Sequence, residues 1–433
     1  MRLSKRIIEL TELLHRDERD NIVLTIFWNS LYLAFFLLPL GINLSTPFFI
    51  VSIILGVVNI FKSQKKFFLY NKALLLFPVY FIVLSLSLVY TDNLSDGIEL
   101  VQRSLSLLLF PIIFLFVKED ALTVRKLFNF LLLGLIVSFF INFAIAIHDS
   151  VLFVKGDDSI ELTSISSLIE TLILVWNFFI GAEFSVLVNP SYVSVYILLV
   201  LSYFLKKELI TGIRFFIVTL LFLYLFLLAS LAAYLILFMM SVLLIFAVKD
   251  TSKRYLMLII FFLGLIVFLN NPRVFDFYSR VKSYENTTSY DHTASEKSRI
   301  LTWQASLQLI KEAPFFGYGV GDANDVLIEK YKELGYIYNY QNRYNAHNQF
   351  LQTLLHTGII GLGILVFIFV LLALRMKRSS NELAVLLILF ISLMFESMLV
   401  RFNGIVFFSI VIPLLLKKRS ILGSRIIRNN GIN

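Results

Sequence analysis

Apolar residues occur along this chain in long uninterrupted blocks, separated by short charged segments. Blocks at about 22–40, 44–61, 73–90, 98–117, 124–147, 190–205, 211–228, 230–248, 254–270, 352–375, 382–399 and 401–417 approach or exceed the roughly 18 residues that read as a membrane-spanning helix. One long polar stretch, 271–350, interrupts them. The pattern predicts an all-α polytopic membrane protein with about 12 transmembrane helices and one large helical loop outside the membrane. The strand alternation of a membrane β-barrel is not present.

The same pattern divides the chain. Residues 1–21 carry Ile7, Ile8, Leu10, Leu13 and Leu14 near helical spacing, as in an amphipathic helix on the membrane surface. The charged lead is long and no small-residue cleavage site follows it, so the first span is expected to stay as an anchor. Spans one to nine fill 22–270. Within them 148–189 is expected to be an outward interfacial or re-entrant segment beside the large loop, because its apolar core, Leu172 to Ile180, is short and flanked by acids. The loop 271–350 is followed by spans ten to twelve in 351–417 and a basic tail, 418–433.

Composition agrees with this class. Of the 433 residues 58% are hydrophobic and 15% charged, against nearer half and a quarter in soluble proteins. The net charge of +9 does not point to nucleic acid. Most basic residues sit in short connections, such as Lys62, Lys65, Lys66 and Lys72, or Lys249, Lys253 and Arg254, on alternate sides of the spans. By the positive-inside rule both termini are expected to face the cytoplasm and 271–350 to face outward. There are no cysteines, which excludes disulfides, thiolate metal sites and cysteine nucleophiles.

Candidate chemistry gathers in the polar loop. Arg299 and Trp303 share one helix face if Ser298 begins a helix. An arginine fork suits a phosphate, and the tryptophan suits a sugar or lipid. On spacing alone a solvated arginine beside an interfacial tryptophan is the commoner arrangement. Pro314, Gly317, Gly319 and Gly321 read as a turn ending that helix. Their resemblance to a dinucleotide fingerprint is superficial, since no strand precedes them. His347, between a polar run and an apolar helix, is a candidate general base at the membrane boundary. A lone histidine is more often structural. No metal is expected, because the histidines lack ligand spacing, and no G-x-S-x-G elbow marks a serine hydrolase. Arg103, near the outer end of the fourth span, either snorkels to the interface or receives an anionic headgroup. Glu396 and Arg401 are expected to pair with each other.

The succession Arg299/Trp303, then Pro314/Gly317/Gly319, then His347/Asn348/Leu351/Gly358/Gly361 resembles the O-antigen ligase and polymerase family. Tyr90 to Pro111 and Asn189 to Tyr192 resemble early segments of the same family. The resemblance implies a glycosyltransferase that moves a glycan from undecaprenyl diphosphate to an acceptor hydroxyl at the periplasmic face, with no cofactor. The acceptor is lipid A core in ligases and another lipid-linked repeat unit in polymerases. It further implies that Arg299 stabilises the diphosphate, that His347 is the base, and that Asn348 supports it. One departure stands out. Ser230 is followed by Leu231 where family members often carry arginine, so Arg103 or Arg343 is the expected substitute. A transporter of lipid-linked sugars is the rival class. It would want broken, polar spans at the bilayer midplane and pseudo-symmetric halves, neither of which the sequence displays.

Overall fold

The structure is a computed structural model. It describes residues 14–15, 21–62, 69–117, 123–156, 171, 176–204, 211–248, 250–271, 274, 295–376 and 380–417. The helices are α1 (Ile22–Leu37), α2 (Ile42–Lys62), α3 (Leu76–Leu86), α4 (Leu94–Ser104), α5 (Ser106–Phe116), α6 (Thr123–Gly156), α7 (Pro190–Phe204) and α8 (Thr211–Leu228). There follow α9 (Leu231–Ala247), α10 (Thr251–Leu269), α11 (Ser295–Glu312), α12 (Asp322–Glu333), α13 (Ile337–Gln341), α14 (Gln349–Met376), α15 (Ser380–Phe395) and α16 (Phe402–Lys417). No strand occurs among the described residues.

Seven helical segments are long and apolar enough to cross a membrane: Ile22–Leu40, Ile42–Lys62, Lys72–Tyr90, Leu94–Phe116, Thr123–Val154, Thr251–Leu269 and Gln349–Met376. Five shorter apolar helices lie at Pro190–Ser202, Gly212–Leu228, Leu231–Leu243, Leu383–Phe395 and Phe402–Lys417. Seven of the expected spans fall on segments of full spanning length, and five fall on helices shorter than that. The amphipathic N-terminus (except residues 14 and 15), the basic tail and most of 271–294 lie outside the described residues.

Packing divides the chain into two compact units, Met1–Ser52 with Arg125–Phe238, and Ile53–Val124 with Met239–Asn433. In the first unit, α1 and α6 cross closely at Gly134. A Cβ there would fall inside the Phe36 carbonyl, so only glycine permits the approach. Polar side chains join α6 to α8. Ser138 Oγ lies 2.8 Å from the Tyr224 hydroxyl, and Asn142 Nδ2 donates to the same oxygen at 2.9 Å. Of the segment expected at the interface, 148–156 instead continues α6, and among its other described residues Trp176–Phe179 and Gly181–Phe184 form two short turns. It packs on α6 through Phe143–Phe179, Phe153–Phe178 and Phe139–Phe184 ring contacts.

In the second unit, α16 is buried from Gly404 to Leu416. It packs on α5 and α14, and α14 also packs on α3, α11 and α15. Phe408 meets Phe77 and Phe369, and Phe390 meets Phe350 and Phe369. Helices α11, α12 and α13 form a polar-surfaced cap, with Ala305, Leu309, Ala323, Leu327, Tyr331, Ala346 and Leu355 as its core. The fourth expected span has a one-residue irregularity at Leu105, where helical backbone angles join the charged α4 to the apolar α5.

Candidate active site

The site is built where the cap meets the start of α14 and the turn after α15. Helix α11 begins at Ser295, and Ser298 is not its cap. Ser298 is buried, and its hydroxyl donates to Asn339 Oδ1 at 3.0 Å. Asn339 Nδ2 in turn donates to the Ser298 carbonyl and to Thr302 Oγ1, both at 2.8 Å. Ser298, Thr302, Ala305, Ser306 and Leu309 thus face the cap core. This fixes the rotation of α11, and Arg299 and Trp303, four apart, lie together on its other face.

His347 ends the loop before α14 in a left-handed conformation, φ +44°. Arg343, at φ +48°, does the same four residues earlier. Non-glycine residues held there store strain and cluster at functional sites. The loop is fixed by its own side chains. Asn345 Oδ1 accepts from the His347 N–H at 3.0 Å. Asn348 Oδ1 accepts from the N–H groups of Phe350 at 2.9 Å and Leu351 at 3.2 Å, capping α14. The structure thus gives the Asn348 oxygen a capping task on α14.

His347 Nδ1 lies 3.8 Å from Glu396 Oε2. That is an ion-pair separation rather than a hydrogen bond, and Nδ1 is buried without a hydrogen-bond partner. The Tyr344 ring packs edge-on against the imidazole, centroids 5.2 Å apart. Burial pushes the Glu396 carboxyl up, but His347, Arg299 and Arg401 together pull it further down, so it lies below the usual glutamate value. Burial first, and then Tyr338, pushes the Tyr344 hydroxyl up to about 12, with Arg299 pulling the other way. Arg299 therefore acts on both neighbours of the histidine. The Trp303 ring stands 6.2 Å from Phe395, which precedes the acid. Arg299, Trp303, His347 and Glu396 thus form one cluster. Arg401 also lowers Glu396, but the ion-pair partner of the acid is His347, where the sequence pointed to Arg401.

The other two expected arginines are placed differently. Arg103 pairs with Glu99 on exposed α4, and Arg343 pairs with Asp325 at 3.4 Å on the cap surface. Leu231 is the first residue of α9, just after Ala229 at φ +48°.

The glycine turn has a structural task. Helix α14 is broken at Gly358, φ +61° and ψ −156°, a conformation open essentially to glycine. The break frees backbone groups, and the turn satisfies them. Tyr318 N–H donates to the Leu355 carbonyl at 2.7 Å, and Gly319 N–H to His356 at 3.1 Å. Ile359 N–H donates to the Pro314 carbonyl at 3.0 Å. The far side of the turn holds the Tyr90–Asn93 segment. Asp322 accepts from the Asp92 and Asn93 N–H groups at 2.8 and 2.7 Å, and the Tyr90 hydroxyl donates to the Phe316 carbonyl at 2.7 Å. Among the described residues no three His, Asp or Glu side chains converge as a metal centre requires.

Residues 216–366 match the family model described as O-antigen ligase. Over that stretch the chain is similar to the O-antigen ligase family, which supports the resemblance carried by its motifs. The match covers roughly a third of the chain, from α8 to the upper part of α14. It includes Arg299, Trp303, the glycine turn, His347 and Gly358, and stops short of Glu396. No curated protein matches the chain.

Proposed function

We propose that this protein transfers a glycan from undecaprenyl diphosphate to an acceptor hydroxyl at the periplasmic face of a bacterial inner membrane, with lipid A core as acceptor. The observation that carries this reading is the convergence of His347, Glu396 and Arg299 in a chain whose central third matches the O-antigen ligase family.

The chemistry follows from the cluster. With Nδ1 turned toward Glu396, the imidazole offers Nε2 to the acceptor hydroxyl. The acceptor oxygen attacks the anomeric carbon while its proton passes to Nε2. The bond from that carbon to the diphosphate oxygen breaks, and its electron pair leaves with the diphosphate. Glu396 steadies the imidazolium that forms, as the buried acid does in a hydrolase triad. Arg299 meets the charge gathering on the leaving group, where a preorganised donor acts most strongly. Trp303 lines the glycan or lipid side. The proton has a protein acceptor and the leaving group a protein counter-charge, so this route needs neither metal nor nucleotide. The basic connections support an outward-facing cluster, held at the membrane surface by the apolar helices, twelve in this reading.

A purified assay tests this. Labelled undecaprenyl-diphosphate glycan is offered with lipid A core, or alone. Transfer to the core supports a ligase, and chain extension without core supports the alternative, a polymerase of the same family. An intact donor in both arms, with donor movement across proteoliposomes, would favour the transporter instead.

A further inference from the structure

Gln349 is the first residue of α14, two positions after His347, and it is buried. Its side chain bonds both along its own helix and across to another segment. Gln349 Oε1 accepts from the Leu399 N–H at 2.6 Å. Gln349 Nε2 donates to Thr353 Oγ1 at 3.1 Å, and Thr353 Oγ1 lies 3.3 Å from the Tyr80 hydroxyl. Leu399 belongs to the short 3-10 turn Met398–Val400 that follows Glu396. That turn is tied back by Met398 N–H to the Glu396 carbonyl at 3.0 Å and Val400 N–H to the Ser397 carbonyl at 3.2 Å. A buried carboxamide therefore bridges the segment carrying the histidine and the segment carrying the acid, and Thr353 and Tyr80 fix its orientation.

We propose that Gln349 is a positioning residue that sets the separation of His347 and Glu396 by holding the 396–400 turn against the start of α14. The proposal rests on the transferase reading given above. Two segments that are 49 positions apart meet here, and neither is long enough to hold a fixed distance alone. A displacement of about an ångström at a reacting group can cost on the order of a hundredfold in rate.

Three variants and one double variant test it in the transfer assay. Gln349→Leu removes both hydrogen bonds and should lower kcat by about a hundredfold, with the donor KM little changed. Gln349→Glu should recover most of that loss, because a buried, uncharged carboxylic acid keeps an acceptor for Leu399 and a donor for Thr353. In a Glu396→Gln background, Gln349→Leu should add little, because it acts through the acid. Thr353→Val, which spares the Leu399 bond, should give a smaller loss and keeps the test available if Gln349→Leu does not fold. Equal losses in the two backgrounds, or no recovery by Gln349→Glu, would reduce Gln349 to a structural residue. Wild-type turnover in Gln349→Leu would overturn the proposal alone. Absence of transfer by the wild type would instead overturn the transferase reading.

Discussion

Gly358 and Phe315 lie so close that a Cβ on the glycine would fall inside the Phe315 carbonyl. Contact and conformation act together, since the φ of +61° and ψ of −156° at Gly358 admit essentially glycine alone. Gly358→Ala should therefore cost more than the ~1–3 kcal/mol of backbone strain by itself. A markedly lower thermal midpoint in detergent is the expected result. A midpoint within a degree of wild type would mean that the turn and the helix break are not held together.

His347→Ala should lower transfer by about a hundred- to ten-thousandfold, the range lost with a general base, while donor binding persists. Single-turnover measurement with equilibrium donor binding separates the two. Near-normal turnover would make His347 a structural residue and remove the mechanism.

Arg299→Lys keeps the charge and loses the planar fork. Losing one preorganised donor typically costs about 2.7–4 kcal/mol, roughly a hundred- to a thousandfold in rate. Strong impairment of kcat is expected. Arg103→Ala and Arg343→Ala should each cost less than Arg299→Lys, because each pairs with an acid of its own, Glu99 and Asp325. A larger loss from either would mean that it has taken the place of the arginine replaced by Leu231.

Glu396 has a lowered carboxyl, so its ionised form is favoured by folding. Its contribution is fully present above the ordinary glutamate value and is lost as pH falls through the lower folded value. Wild type should therefore exceed Glu396→Gln in stability at neutral pH, and the gap should close on acidification below the usual carboxylate range. Thermal melts across pH read this directly. A gap that does not change with pH would assign the difference to packing.

Topology can be tested without removing native cysteines, because there are none. A cysteine at Ser289 should label from outside intact cells, and one at Ser379 only after the membrane is opened. The reverse pattern would put the cluster on the cytoplasmic side.

The apolar blocks made most of the helices legible, because a spanning helix announces itself by length and composition. The break at Gly358 lies inside one block, and the pattern of apolar positions does not show that this glycine takes a positive φ. The pairing of Arg299 with Trp303 follows from helical spacing alone. Ser298 misled because serine favours caps, yet here it serves the buried Asn339, a partner 41 positions away. Asn348 carries a readable cue of its own, a capping residue directly before an apolar helix. Glu396 was visible as a charge at a span end, but Arg401, only five residues on, offered a nearer explanation. Its meeting with His347 depends on packing between α14 and α15, which no local pattern encodes.

Because the acid follows α15 while the arginine and histidine precede it, exchanging parts between relatives has a preferred seam. A hybrid cut at residue 366 would carry Arg299, Trp303, His347 and Gln349 into a host that supplies its own acid and its own partner for the Leu399 amide. Such a hybrid inherits two halves of a distance that evolved separately. Moving the junction to the middle of α16 would transplant the cluster whole, and the difference in turnover between the two hybrids would measure how finely each lineage has matched its own pair.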